Sequence, residues 1–469
     1  MGDFILTIRI SRQQGILAAV VVAVAALVAL VPSAYVITPL AMILLLSLLW
    51  KRTVWGIALA TLLYPFSQNY LWLGSSTNIP YADVVMLFIL IVWLAKTLYF
   101  SVLDKHWHLS RQSLYNILPF LALLLAGALS LLNVWPEQMA ESIRYWWRFV
   151  GFTYLAYFFV TQEVIKKARD FWHVSYFIFG LGVFLSVMGV ASVFWPEISR
   201  SFPMATPLSW FGLFPFAASH NLLAEALVSI IPFSALVVYK VQDDSLKKYL
   251  WLGVFLMFAV ALLTFSRTGW IVLLVEILLF TGLYYNYNLK KILQKYWLWL
   301  LLLVVLAGLY FFTWGQSYFV TSSNDARLAM IEASLDLFRL EPLVGHGVGT
   351  WLSLTSGNIY YTFQFGLPYE QHGVIWKLIA EQGIIGLLVW LGIMFYLVYR
   401  AVKVWLNLEK NNPWRLTALV ALIVISGQII FQMLDTGYYS PKMWLPIGLS
   451  FALLNISARY RGLMKSETK

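Results

Sequence analysis

No charged residue stands between Arg12 and Lys51, and apolar runs with little or no charge recur to the end of the chain. A run of about 20 apolar residues crosses the hydrocarbon core of a bilayer with every backbone group bonded inside its own helix. A chain made of such runs is therefore committed to helices in lipid. Composition agrees: of 469 residues 61% are hydrophobic, 17% aromatic and 11% charged, far from the usage of soluble domains. Fourteen apolar segments fall at 15–31, 36–50, 54–72, 81–99, 114–132, 144–161, 171–194, 221–239, 248–265, 267–285, 297–313, 372–399, 415–433 and 442–457. They predict an all-α polytopic integral membrane protein of about 12–14 transmembrane helices, forming one transmembrane domain over 1–469. Arg9 and Arg12 ahead of an apolar run imitate a signal peptide, but the spans that follow favour an uncleaved first helix. With no cysteine in the chain, neither a disulfide framework nor a thiolate metal site is available.

The positions of the basic residues set the orientation. Cytoplasmic loops of membrane proteins are enriched in Lys and Arg. Twenty-four of the 32 basic residues fall in alternate loops: Arg9 and Arg12; Lys51 and Arg52; Lys96, Lys105 and Arg111; Lys166, Lys167 and Arg169; Lys240, Lys247 and Lys248; Lys290, Lys291 and Lys295; Arg400, Lys403, Lys410 and Arg415; and Arg459, Arg461, Lys465 and Lys469. The pattern predicts cytoplasmic termini, and it accounts for the net charge of +11 without any nucleic-acid partner. Eight cations break it: Arg144, Arg148, Arg200, Arg267, Arg327, Arg339, Lys377 and Lys442. All fall on or near the external side, where a membrane-edge charge needs a partner, a role or a snorkelling stem. Snorkelling suits Arg200, Arg339 and Lys442, whereas function suits Arg267 and Arg327.

Four external segments hold the other polar groups: 66–80, rich in Asn, Ser and Gly; 133–143, with Glu137 and Glu141 just before Arg144; 195–220; and 314–371. Arg144 and Arg148 lie four apart on one helix face, with Tyr145, Trp146 and Trp147 between them. They read either as a phosphate-binding pair or as basic anchors in an aromatic belt. Segment 195–220 ends at His220 and Asn221, with Glu225 one turn further on. The largest loop, 314–371, precedes the helix that begins at His372. In it Asn324 has the character of an N-cap, and Leu328, Ile331, Leu335 and Phe338 form an apolar stripe at helical spacing. These predict an amphipathic helix over 325–340 lying along the membrane surface, with Arg327 in its first turn. Pro342 stops it, and Gly345, Gly347 and Gly349 then predict a tight turn where backbone approaches a bulky ligand, with His346 inside it. Glu381 is either a site residue or the buried partner of Lys377 one turn before it.

Ser266-Arg267-Thr268-Gly269-Trp270 opening a span, Arg327 in a helix leading to Pro342-Leu343-Val344-Gly345-His346-Gly347-Val348-Gly349, and His372 followed by Glu381-Gln382-Gly383 together resemble the O-antigen ligase and polymerase family of bacterial envelope glycosyltransferases. The resemblance covers residues 200–435. It departs at Gly373, where the family commonly has Asn, and in span number, where related ligases have about twelve. It implies a GT-C like transferase that moves a glycan from undecaprenyl diphosphate to an acceptor hydroxyl at the periplasmic face, without a divalent metal or other cofactor. The histidine matching His372 would then act as base or acceptor-orienting group, and Arg267 and Arg327 would contact the diphosphate.

The chemistry of the residues points the same way. A sugar hydroxyl is a poor nucleophile until a positioned base takes its proton, and histidine titrates at about pH 6.5. A leaving diphosphate gathers negative charge that a guanidinium fork receives through two parallel hydrogen bonds. No Asp-x-Asp metal motif occurs on the external side, and the adjacent Asp243 and Asp244 lie in a cytoplasmic loop. Within the class, the acceptor is lipid A core for a ligase, a growing repeat unit for a polymerase or a protein for an oligosaccharyltransferase. The dominant loop before His372 favours the ligase, with Trp210, Tyr360, Tyr361 and Tyr369 placed to stack on sugars. A transporter or flippase is the rival class, suggested by Glu276, Glu381 and proline-broken helices. Against it, the two halves show no repeat and the polar groups gather at one face.

Overall fold

The computed structural model describes residues 45–66, 70–72, 78–105, 111–194, 204–208, 215–284, 318–356, 370–435 and 440–467. The expected spans at 15–31 and 297–313, most of 36–50, Arg200, and the aromatic residues Trp210, Tyr360, Tyr361 and Tyr369 lie outside them. The described chain is helical apart from one antiparallel hairpin, β1 (Tyr70–Trp72) with β2 (Asn78–Pro80), Leu71 facing Ile79. Its helices are α1 (Thr53–Leu63), α2 (Tyr81–Leu103), α3 (Arg111–Ser130), α4 (Pro136–Tyr145), α5 (Thr161–Val164), α6 (Ala168–Phe194), α7 (His220–Lys240), α8 (Asp244–Leu263), α9 (Arg267–Tyr284), α10 (Tyr318–Leu340), α11 (Trp351–Ser356), α12 (Val374–Asn407), α13 (Trp414–Leu434) and α14 (Pro441–Glu467).

Eight helices among the described residues are long and apolar enough to cross a membrane: α2, most of α3, α6, α7, α8, α9, α12 and α13. The protein is thus an all-α multispanning membrane protein. Local chemistry sets the helix starts. Ser219 accepts the Leu222 N–H at 3.4 Å to cap α7, and Asp243 accepts those of Ser245 and Leu246 at 2.8 and 3.1 Å to cap α8, satisfying donors that a helix start leaves without partners. Pro136 opens α4 at a position where a missing N–H costs nothing. The expected span at 54–72 ends earlier, because the chain leaves the helix through Tyr64–Phe66 and turns into the hairpin. The expected span at 144–161 is helical, as two π-helical stretches, Trp146–Phe152 and Tyr154–Val160, and is not among those eight helices. Their wider turn rotates the side chains relative to an α-helix.

Helices α7 and α13 are buried on most sides and form the centre of the bundle. Around them α14 packs Trp444 and Phe451 against Tyr154 and Phe158 of the π-helical stretch, with ring centroids 4.8 to 5.8 Å apart. Outward, α2 presents Leu87, Ile91, Leu94 and Leu98, and α8 presents Leu252 and Phe255, the apolar surface that a bilayer covers. Glu276 of α9 is buried against Gly427 of α13, a close helix-to-helix approach.

The segment after α10 is where sequence expectation and structure part most clearly. Helix α10 begins at Tyr318, so Asn324 lies inside it and does not cap it. The face turned to the protein is Met330, Ser334 and Leu337, packed with Trp351 and Ala380, one residue round from the expected stripe. That stripe stays partly open, Leu328 most of all. The glycine turn contacts protein. Gly345, Gly347 and Gly349 all have positive φ, at 69°, 112° and 81°. A Cβ on Gly345 would stand 2.4 Å from the Glu381 carbonyl carbon, and one on Gly349 would stand 2.4 Å from the Tyr145 ring. Facing the turn, α12 breaks at Gly383 (φ 62°, ψ −161°). The freed backbone bonds across: His346 N to Ala380 O at 3.1 Å, Gly347 N to Glu381 O at 2.8 Å, Ile384 N to Pro342 O at 2.9 Å and Ile385 N to Leu343 O at 3.2 Å.

Candidate active site

His372 ends the loop just before α12 and is held from both sides in sequence. Gln371 is buried and donates to Ser334 Oγ of α10 at 3.0 Å, and Glu370 forms an ion pair with Lys377. Gly373 follows with φ 92° and lies close to the Met433 carbonyl. That backbone conformation favours glycine, which gives a physical reason for Gly373 where the resembled family commonly has Asn. The imidazole is 27% exposed, and its Nδ1 lies 3.1 Å from Oδ1 of Asp435, at the C-terminal end of α13. With Nδ1–H donating to that carboxylate, the basic lone pair of the ring is on Nε2. Nothing in the sequence had linked Asp435 to His372. The signal available was a carboxylate at an external helix end, equally explained by topology.

The two arginines come to the same place by different routes. Arg267 is the first residue of α9, after a turn in which Phe265 adopts φ 53° and Ser266 Oγ accepts the Gly269 N–H at 3.3 Å. Its guanidinium donates to Asn324 Oδ1 of α10 at 2.8 Å, so the residue expected to cap α10 instead ties that helix to α9. Arg327, one turn further along α10, feels the charges of both Asp435 and Arg267. Burial lowers its pKa, the charge of Arg267 acts in the same direction, and Asp435 opposes them. A guanidinium stays protonated through such a shift. Its Nε is buried with no hydrogen-bond partner among the described residues, an unusual cost for a charged donor.

Below Asp435 the site continues into the bundle. Glu225, fully buried one turn into α7, accepts from Gln432 Nε2 of α13 at 2.8 Å. Lys442 of α14 interacts with the charges of both Glu225 and Asp435 and stands 5.9 Å over the Phe216 ring. It is turned inward, where a snorkelling residue was expected. His220 and Asn221 open α7 at this same end of the bundle.

The remaining candidates are engaged elsewhere. Arg148 pairs with buried Asp83 at 3.3 Å, and the other Asp83 oxygen accepts from Tyr157 at 2.7 Å, so this arginine joins α2 to the π-helical stretch. Arg144 stands exposed beside Glu141 at 3.7 Å, and Arg339 beside Asp336 at 2.7 Å. His346 Nε2 bonds to the Leu337 carbonyl at 2.9 Å. Glu381 accepts the backbone N–H groups of Gly349 and Trp351 at 2.9 and 3.1 Å and lies 3.8 Å from the Lys377 ammonium, which also approaches Tyr145 Oη at 3.4 Å. Glu381 thus holds the glycine turn, and Lys377 ties Glu381 to Tyr145 and Glu370. Among the described residues no three His, Asp or Glu side chains gather as a metal-binding group.

Residues 252–391 match the family described as O-antigen ligase. The chain contains an O-antigen ligase family domain. That domain runs from α8 into α12 and includes Arg267, Arg327, His372 and Glu381, a narrower stretch than the 200–435 of the sequence resemblance. Asp435, Glu225 and Lys442 lie outside it, so helices flanking the ligase-family domain complete the surroundings of its histidine. No curated protein matches the chain.

Proposed function

We propose that the protein transfers a glycan from undecaprenyl diphosphate to an acceptor hydroxyl at the periplasmic face of the bacterial inner membrane, ligating O-antigen to lipid A core. The observation that carries the reading is the His372–Asp435 contact set beside Arg327 and Arg267. In the proposed reaction His372 Nε2 takes the proton of the acceptor hydroxyl as its oxygen attacks the anomeric carbon. The bond from that carbon to the diphosphate oxygen breaks, and its electron pair leaves with the lipid diphosphate. Arg267 and Arg327 receive the new charge, the free Nε–H of Arg327 being a donor already placed for it. Asp435 holds the imidazole in the required tautomer and stabilises the imidazolium that forms. The half-open stripe of α10 suits a helix resting on the bilayer surface, where a polyprenyl donor is anchored. The chemistry asks for no metal.

The test is an assay of purified protein with undecaprenyl-diphosphate-linked glycan in EDTA, with lipid A core as the added acceptor. Glycosylated lipid is the expected product. Elongated glycan without modified lipid would instead identify a repeat-unit polymerase of the same family, and no donor consumption with any acceptor would return the weight to a transporter or flippase.

A further inference from the structure

The end of the bundle opposite His372 holds a second charged concavity. It is a cavity of about 350 Å³ between the start of α1, the last turns of α2, helix α5 and the start of α6, within the usual size range of ligand sites. Its rim carries Lys51, Arg52, Lys96 and Arg169. Helix α7 fixes its distance from the site: His220 opens that helix beside Glu225, whereas Lys240 closes it 5.9 Å over the Trp172 ring, in the first turns of α6. Twenty-one residues of helix separate the ends, about 30 Å, so the cavity faces the other side of the membrane.

The cavity is built for an anion with an apolar body. Four cations on its rim face two carboxylates, Glu163 and Asp170, and Glu163 is already bonded by Lys166 at 3.1 Å. Lys96 is held in place by its bond to Thr53 Oγ1 at 2.9 Å and by the Trp50 ring 5.8 Å away. The inner wall is aromatic: Trp55 stacks on His173 at 6.2 Å and Trp93 meets Phe159 edge-on at 5.6 Å. Beside it, the exposed stripe Leu87, Ile91, Leu94 and Leu98 of α2 runs along the bundle surface. The 44 residues that precede the described chain include one acidic residue, Asp3, so they offer little to neutralise the rim.

We propose that this cavity binds the phosphate-bearing head group of an anionic glycerophospholipid of the cytoplasmic leaflet, with the acyl chains lying along the α2 stripe. A free phosphate shares the charge chemistry, but the aromatic wall and the adjoining apolar stripe fit a lipid. The inference rests on the protein's being a membrane protein and is independent of the transferase chemistry at the other face.

Native mass spectrometry of the purified full-length protein, after exchange with equal amounts of phosphatidylglycerol and phosphatidylcholine, tests it. Wild type should retain phosphatidylglycerol in preference, and an excess of inorganic phosphate should leave that retention unchanged. The combined change Arg52→Gln, Lys96→Gln and Arg169→Gln should lower retention about tenfold, while Lys403→Gln with Lys410→Gln, elsewhere on the same face, should not. The charge-conserving pair Lys96→Arg and Arg169→Lys should keep it, which separates loss of the site from misfolding. Equal retention of the two lipids by wild type, or unchanged retention in the triple variant, overturns the proposal. Displacement by inorganic phosphate would make this a soluble-anion site and overturn the lipid assignment.

Discussion

Two residues far apart in sequence carry the proposed chemistry, and they are expected to fail differently. His372→Ala removes the base and should abolish transfer at normal expression. Asp435→Asn keeps the imidazole but replaces an acceptor-only carboxylate with an amide whose NH2 can donate to Nδ1, so the tautomer is no longer fixed. It should lower kcat by about 100- to 1,000-fold with KM for the donor little changed. A merely structural aspartate would lower the active fraction and leave kcat per active molecule unchanged. The arginines make a complementary prediction. Arg267→Ala should abolish transfer, and Arg327→Lys, which keeps the charge and loses the planar fork, should lower kcat/KM by about 10- to 100-fold. Wild-type turnover in either variant would remove that arginine from the diphosphate site. His372, Arg267 and Arg327 were legible in the sequence because their types and order resemble a family. Asp435 was not, since 63 residues and a full helix hairpin lie between it and His372.

At the scale of elements, the broken helix α12 and the glycine turn are one device. Gly383 releases backbone groups that Pro342, Leu343, His346 and Gly347 bond, and Glu381 caps the start of α11. Through Gln371 and Ser334 the same region fixes the loop that ends at His372. Gly349→Ala forces a Cβ into the Tyr145 ring at positive φ and should cost about 2 to 4 kcal/mol of stability. Glu381→Gln leaves buried Lys377 with one carboxylate fewer and should cost about 3 kcal/mol. Both would be read from unfolding midpoints in detergent, and an unshifted midpoint for either would show that the clasp is not needed for the fold. The sequence announced a turn here, because alternate glycines before a helix have few other uses. It did not announce what the turn would approach, because the acceptor is backbone of another element and backbone leaves no compositional trace.

At the scale of the molecule, the charge pattern predicts an orientation for the bundle, and the absence of cysteine makes that orientation easy to test. Leu343 is exposed beside the glycine turn and Asn411 is exposed between α12 and α13. A membrane-impermeant maleimide should label Leu343→Cys in intact cells with a permeable outer membrane, and Asn411→Cys after lysis alone. The reverse pattern would invert the topology and place His372 in the cytoplasm. EDTA should leave transfer by the wild-type protein unchanged, and lost activity restored by a divalent cation would show that a metal takes part.

Apolar run length, read directly from sequence, determined that this chain crosses a membrane many times, and the alternation of basic loops set the expectation of which end of each span faces outward. A lipid environment forces helix on any backbone it encloses, so no tertiary information was needed for that much. The capping at Ser219 and Asp243 is likewise local chemistry, although the structure and not the sequence reading found it. What the tertiary structure alone decided was which polar groups share a neighbourhood: Asp435 with His372, Asn324 with Arg267, Lys442 with Glu225, and Arg148 with Asp83 rather than with the other arginines. Those pairings follow from how helices rotate and pack against one another. Helical periodicity shows which residues share a face, and only the packed bundle shows what each face meets.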